Sequence, residues 1–214
     1  MSYEEFTLEQ INSDFLLTIE ENIELFADTP EVQLDEFFLR YLHNNIPLAV
    51  SIGTEKAKSE MIIAPILIEM RRILKNQISL FSGVKFNVDN TRGLNGFCDF
   101  LISRSRQQSF IKSPVVAIVE AKNDNIKSGY GQCMAEMIAA RIFNERESQE
   151  IESIFGVVTN GNQWKFLKLS KDMIYIDLSD YYIINPNKIT GILINMVKPE
   201  AINGVQVDID KLTQ

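Results

Sequence analysis

The run Pro114-Val-Val-Ala-Ile-Val-Glu-Ala-Lys122 constrains the fold more than any other segment of the chain. Its five consecutive apolar residues, Val115 to Val119, leave no polar face to turn toward water. A short run of that kind reads as a central strand, buried on both sides of a sheet. It is far too short to cross a bilayer, which takes roughly 20 apolar residues in a helix. At its end the apolar pattern is interrupted by Glu120 and Lys122. On a strand these two share a face, about 6–7 Å apart along the backbone at about 3.3 Å per residue. Asp99 interrupts a second apolar run, Gly-Phe-Cys-Asp-Phe-Leu-Ile, and would join them if the two strands are neighbours. A buried charge is costly unless it is paired or bound to metal. Two acids and an ammonium at one sheet edge suit a divalent cation beside a positive group, which is what metal-assisted phosphodiester hydrolysis needs.

The surrounding sequence supplies elements to pack on that strand. Across the first 45 residues, acids alternate with Ile11, Phe15, Ile19, Ile23 and Phe26. That helical spacing predicts one or two helices with a break at Thr29-Pro30. Residues 1–50 therefore read as a helical N-terminal extension and residues 51–214 as the main domain, the whole forming one compact unit. Thr54 to Gln77 predicts a helix capped by Thr54, with Arg71, Arg72 and Lys75 near its C-terminal end. Pro65 inside it should kink the helix or start its second half. Val84–Val88, Leu94–Ser103 and Pro114–Ala121 read as strands, and Gly129–Asn144 as a helix after the polar stretch Asn123–Ser128. Ser153–Thr159 and Trp164–Leu169 predict a hairpin across Asn160-Gly161, the strongest short turn signal in the chain. Met173–Leu178 reads as a strand and Lys188–Val197 as a closing helix. Helix, three strands, helix, then strand predicts an α/β fold: a mixed sheet of about five strands flanked by helices.

Composition narrows the function classes. At 214 residues, 45% apolar and 23% charged, the chain suits a soluble globular domain with a sizeable core. Its N-terminus, Met-Ser-Tyr-Glu-Glu-Phe, lacks a basic region followed by an apolar one, so no signal peptide and a cytoplasmic location are expected. Cys98 and Cys133 read as reduced packing residues, since two thiols make no zinc site without further ligands. The single histidine, His43, falls in an N-terminal helix, which argues against a Ser-His or Cys-His nucleophile. No Gly-x-x-x-x-Gly-Lys sequence occurs, so an ATPase motor of that type is excluded. A glycosidase would pair carboxylates too, but in a cleft with more aromatic residues than one tryptophan, and without an obligatory lysine. The net charge of −8 runs against a protein that grips duplex DNA through many phosphates. Nucleic-acid chemistry then requires a locally basic cleft, weak intrinsic binding or a partner that supplies the grip. No reading helix with a basic face is evident, so specificity would come from shape or from another chain.

Two further residues extend the candidate site. The apolar stripe Ile63, Leu67, Met70, Leu74 repeats at helical spacing, and three residues back lies Glu60, placed to face the sheet. Acids are also favoured in a helix's first turn for electrostatic reasons alone. Gln132 sits early on the helix that follows the central strand. The segments Lys-Ser-Glu-Met-Ile-Ile-Ala-Pro-Ile, Gly-Phe-Cys-Asp-Phe-Leu-Ile, Val-Glu-Ala-Lys, Gly-Gln-Cys-Met-Ala-Glu-Met and Val-Val-Thr-Asn-Gly-Asn-Gln-Trp-Lys-Phe together span about residues 54 to 170.

This set resembles the PD-(D/E)xK nuclease superfamily. It looks most like the N-terminal nuclease domains of type I restriction motor subunits and a family of uncharacterised cyanobacterial proteins. One departure is that Cys98-Asp99 stands where the superfamily's name has Pro-Asp. The resemblance implies a restriction-endonuclease-like fold acting on nucleic acid, most plausibly DNA. It implies Mg²⁺ or Mn²⁺ held by Asp99, Glu120 and the carbonyl of Ala121, all hard oxygen donors. Glu60 would reach the metal through water or hold a second ion. Lys122 would orient or help deprotonate the attacking water and offset charge on the phosphate. Gln132 would position substrate or nucleophile, and Trp164 is either core or a base contact. A homodimer is expected because two strands of a duplex need two sites, with residues 8 to 45 as a candidate interface; no membrane partner is expected. The alternative is a non-catalytic nuclease-fold scaffold acting through a protein partner, because fold does not dictate activity.

Overall fold

A computed structural model describes residues 1–198. Helix α1 (Leu8–Phe15) leads to strand β1 (Thr18–Ile23) and the long helix α2 (Glu36–Ile52). A short helix α3 (Glu55–Lys58) runs through a widened π turn (Ser59–Ile63) into α4 (Ala64–Ile73). Strands β2 (Ser79–Lys85), β3 (Phe97–Ser103) and β4 (Val115–Ala121) follow, then helix α5 (Tyr130–Arg146). Strands β5 (Ile154–Thr159), β6 (Gln163–Ser170), β7 (Met173–Asp177) and β8 (Tyr181–Tyr182) and helix α6 (Pro186–Val197) complete the described chain. All eight strands belong to one mixed sheet, ordered β1-β7-β6-β5-β4-β3-β2, with β8 paired to β6. The part of the expected main domain beyond residue 198 lies outside the described residues. None of the described helices is long and apolar enough to cross a membrane.

The reading of β4 as a central strand holds: all seven of its residues are buried. It pairs antiparallel with β3 and parallel with β5, so neighbours cover both of its edges. Leu101 and Ile118 pack with Met134 and Ile138 of α5 on one face. Phe100, Ala117 and Val119 pack with Leu67 and Met70 of α4 and Ile192 of α6 on the other. One polar clamp of two hydrogen bonds fixes α5 along the strand. Val115 N donates to Asn144 Oδ1 at 2.8 Å, and Asn144 Nδ2 donates to the Val115 carbonyl at 2.7 Å. Twelve helical residues back from Asn144 cover about 18 Å, and the strand from Val115 to Glu120 covers about 17 Å. The clamp at one end of β4 therefore sets Gln132 over the other end, where the charges are.

The N-terminal region departs from the expected helical arm. Residues 18–23 form a strand, parallel to β7, in the same sheet as the rest of the chain. The spacing Ile11, Phe15, Ile19, Ile23 repeats every four residues, but the helix stops at Leu16, whose backbone is left-handed (φ 54°). A β-branched stretch then covers what would otherwise be an exposed edge of β7, and that tertiary pairing overrides the helical period. Residues 24–35, around Thr29-Pro30, are irregular, and α2 starts only at Glu36, where Asp35 accepts the Phe38 N–H at 2.8 Å. The sheet is accordingly wider than the five strands expected.

Candidate functional site

The site is built by the register of β3 against β4. Phe100 lies opposite Val119, so the next residues outward, Asp99 and Glu120, face each other across adjacent strands. There the strand ladder gives way to a side chain: Asp99 Oδ2 accepts the Ala121 N–H at 2.8 Å. Lys122, two residues beyond Glu120, returns to the same face, and its ammonium donates to Glu120 Oε1 at 2.6 Å. On α5, Gln132 Oε1 accepts a second bond from Lys122 at 3.0 Å. Four of the residues singled out in the sequence, Asp99, Glu120, Lys122 and Gln132, are thus brought together. Ala121 lies between them, on the residue whose amide Asp99 holds.

Glu60 is not among them. Its side chain is 59% exposed and pairs with Lys56 at 2.9 Å on the outer surface of the helix. The cause is the π turn at Ser59–Ile63, which inserts an extra residue per turn and shifts the phase of everything before it. Pro65 brings the turn about: it lacks an N–H and crowds the preceding carbonyls, and it does start the second half of the helix as expected. Of this helix's acids, Glu55, in the first turn of α3, is exposed and is only the weakest of the charges acting on Glu120 and Lys122.

A second acid was legible but overlooked. Glu136 lies four residues after Gln132, on the same helical face, and is fully buried. Its Oε1 accepts from Gln132 Nε2 at 3.1 Å. This fixes which way the Gln132 amide points, and so keeps its carbonyl on Lys122. The signal was an acid inside a helix whose neighbours Met134, Ala135, Met137 and Ile138 are all apolar.

The electrostatics of the cluster are those of too many acids out of water. Burial, then the charge of Asp99, push the Glu120 carboxyl up to about 8, although Lys122 opposes the shift. Burial raises Asp99 as well, against the pull of the Ala121 N–H and Lys122. Glu136 is raised well above the usual carboxylate range by burial and by Glu120. Burial disfavours the Lys122 ammonium, but Glu120, Asp99 and Glu55 outweigh it and hold its pKa above the ordinary lysine value. Glu120 Oε2 and Glu136 Oε2 are buried without a hydrogen-bond partner among the described residues. A buried acceptor left in that state costs about 1–3 kcal/mol.

Those features fit a hard cation between Asp99 and Glu120. Two raised carboxyls face each other, one with an orphaned oxygen, and a backbone carbonyl lies beside them. Among the described residues no three His, Cys, Asp or Glu side chains gather as a metal-holding group. The donors available here are two carboxylates and a carbonyl, which leaves the rest of an octahedral shell to water and substrate, as Mg²⁺ commonly accepts.

The surroundings hold the site's loops in place. Lys58 Nζ donates to the Asn123 carbonyl at 2.6 Å and to Asn123 Oδ1 at 3.2 Å, tying α3 to the loop after β4. Asn160 Nδ2 donates to the Asp124 carbonyl at 3.1 Å, tying the expected β5–β6 hairpin to the same loop. Trp164 is fully buried, with its indole N–H on the Gly161 carbonyl, so of its two readings the core one applies. Cys98 and Cys133 are free and buried, as expected of packing residues. Gly129 leaves room for the lysine: a Cβ there would stand 2.9 Å from Lys122 Cε and 2.8 Å from Val158. Gly129→Ala should therefore displace the ammonium and cost about 1–3 kcal/mol of stability. A chemical-denaturation midpoint unchanged from the parent would contradict that packing.

No protein-family model matches the chain, and no curated protein sequence matches it.

Proposed function

We propose that the chain is a metal-dependent nuclease of restriction-endonuclease-like fold, hydrolysing phosphodiester bonds in DNA. The observation that carries this reading is Asp99 facing Glu120 across two adjacent strands, with Lys122 held on Glu120 and Gln132. The succession α4, β2, β3, β4, α5, β5 supports it, because it places the acids and the lysine at one end of a central strand. The charge imbalance supports it too. The buried carboxyls Asp99, Glu120 and Glu136 share one ammonium, and their raised hold on protons is that of a cluster short of positive charge, which a cation would supply.

Asp99, Glu120 and the Ala121 carbonyl would hold Mg²⁺ or Mn²⁺. When bound, the ion supplies Lewis-acid polarisation of the phosphoryl oxygen and a lowered pKa for coordinated water. Lys122 offers its ammonium to the charge that grows on the phosphate. Gln132, oriented by Glu136, keeps that ammonium aimed along the strand end.

Mn²⁺ should raise the melting temperature of the protein by several degrees, and Asp99→Ala should remove that rise. Glu60→Ala, on an exposed residue paired with Lys56, should leave that rise unchanged. Cleavage of single-stranded, duplex and branched DNA is assayed alongside. Metal-dependent stabilisation with no cleavage of any substrate would replace the nuclease reading with the non-catalytic scaffold.

A further inference from the structure

We propose that α2 is a self-association surface, on which two copies of the chain pack antiparallel about a two-fold axis between Asn44 and Asn45. Val50, 56% exposed, lies on the opposite side of this helix, while four large apolar side chains face solvent together: Phe37 is 76% exposed, Leu48 50%, Ile52 47% and Tyr41 37%. With 3.6 residues per turn they fall within an arc of about 60°. The helix's core contacts, Leu42 and Ala49, lie roughly 100° further round. The stripe is therefore a second apolar face and not the margin of the first.

Its spacing is symmetric. Phe37 and Ile52 are equidistant from the midpoint between residues 44 and 45, and so are Tyr41 and Leu48. An antiparallel pair centred there sets Phe37 of one copy on Ile52 of the other and Tyr41 on Leu48, each contact occurring twice. That is the self-complementarity a two-fold interface demands. The centre carries two uncharged residues, and the Asn45 amide is already satisfied by the Tyr41 carbonyl at 2.8 Å. The exposed parts of the four side chains come to about 400 Å² per copy, within the size range of functional apolar patches. Two such faces with their polar margins reach about 1,200 Å², the lower bound for a specific interface.

Sedimentation of the full chain should show a monomer–dimer equilibrium with a dissociation constant in the micromolar range. Leu48→Glu should weaken it at least 100-fold, while Ile184→Glu, on a more exposed residue elsewhere, should not. The register is read by cysteine pairing, since Cys98 and Cys133 are buried. A mixture of Tyr41→Cys and Leu48→Cys chains should oxidise to the mixed dimer faster than either chain does alone. A monomer at 100 µM, a dimer indifferent to Leu48→Glu, or equal self-pairing of the two cysteine variants would each overturn the proposal. So would a monomer that dimerises only after residues 199–214 are deleted, because the tail would then be the occupant of this face.

Discussion

Replacing Lys122 with alanine should reduce metal-dependent cleavage by about 10²–10³-fold, the usual cost of losing one group aimed at developing transition-state charge. Metal binding should survive the change and become tighter. In the parent protein the ammonium occupies Glu120 Oε1 at 2.6 Å. Its removal leaves both oxygens of that carboxylate to a cation, and it also removes a positive charge that repels one. The Mn²⁺-induced rise in melting temperature should therefore grow in Lys122→Ala while turnover collapses. Asp99→Ala should show the opposite split, losing metal stabilisation and activity together. Glu136→Gln offers a gentler probe: with a donor amide available in place of the acid, Gln132 can turn its carbonyl away from Lys122. Turnover should fall with substrate affinity little changed. Cleavage that persists in Lys122→Ala at the parent rate would remove the lysine from the mechanism, and loss of Mn²⁺ binding in that variant would show its role to be structural.

The central strand, its two charges and the facing Asp99 were legible because a short, β-branched apolar run bounded by a proline and by charges is what a strand buried on both sides leaves in a sequence. The hairpin at Asn160-Gly161 was legible for a similar local reason: turn chemistry is written in two residues, and Gly161 has φ 82°. The misses are of another kind. Strand β1 depends on pairing with residues about 155 positions away, and its helical spacing is genuine up to Leu16. Glu60 was misplaced by one inserted residue, so Pro65 should have been read as a phase change as well as a helix boundary. Glu136 needed only the four-residue step from Gln132, but its burial depends on α5 being enclosed all round, and that is a property of the assembled layers. Spacing within an element was readable; phase across a discontinuity was not.

The metal-free protein should lose stability as pH rises from about 4.5 to about 8, and Mn²⁺ should restore it most at the upper end. The ordinary glutamate value is 4.5, and in the folded chain Glu120 is pushed up to about 8 by burial and by Asp99. Between those values the folded protein keeps a proton that the unfolded chain has released. The unfolded state then binds fewer protons, so stability falls with rising pH, by an amount on the order of a few kcal/mol across the window. Asp99 and Glu136 are shifted in the same direction and add to the slope. Lys122 contributes none of it, because its pKa is raised from an already basic value and it stays charged throughout. A cation on Asp99 and Glu120 must displace that proton, so its apparent affinity should rise up to about tenfold per pH unit until pH 8. Denaturant unfolding between pH 5 and 8.5, with chelator and with Mn²⁺, measures both effects. Glu120→Gln should flatten the metal-free slope and abolish the Mn²⁺ response. A metal-free protein that gains stability from pH 5 to 8 would mean that Glu120 is ionised in the fold, held by Lys122 alone, and the site would then have no proton to exchange for a metal.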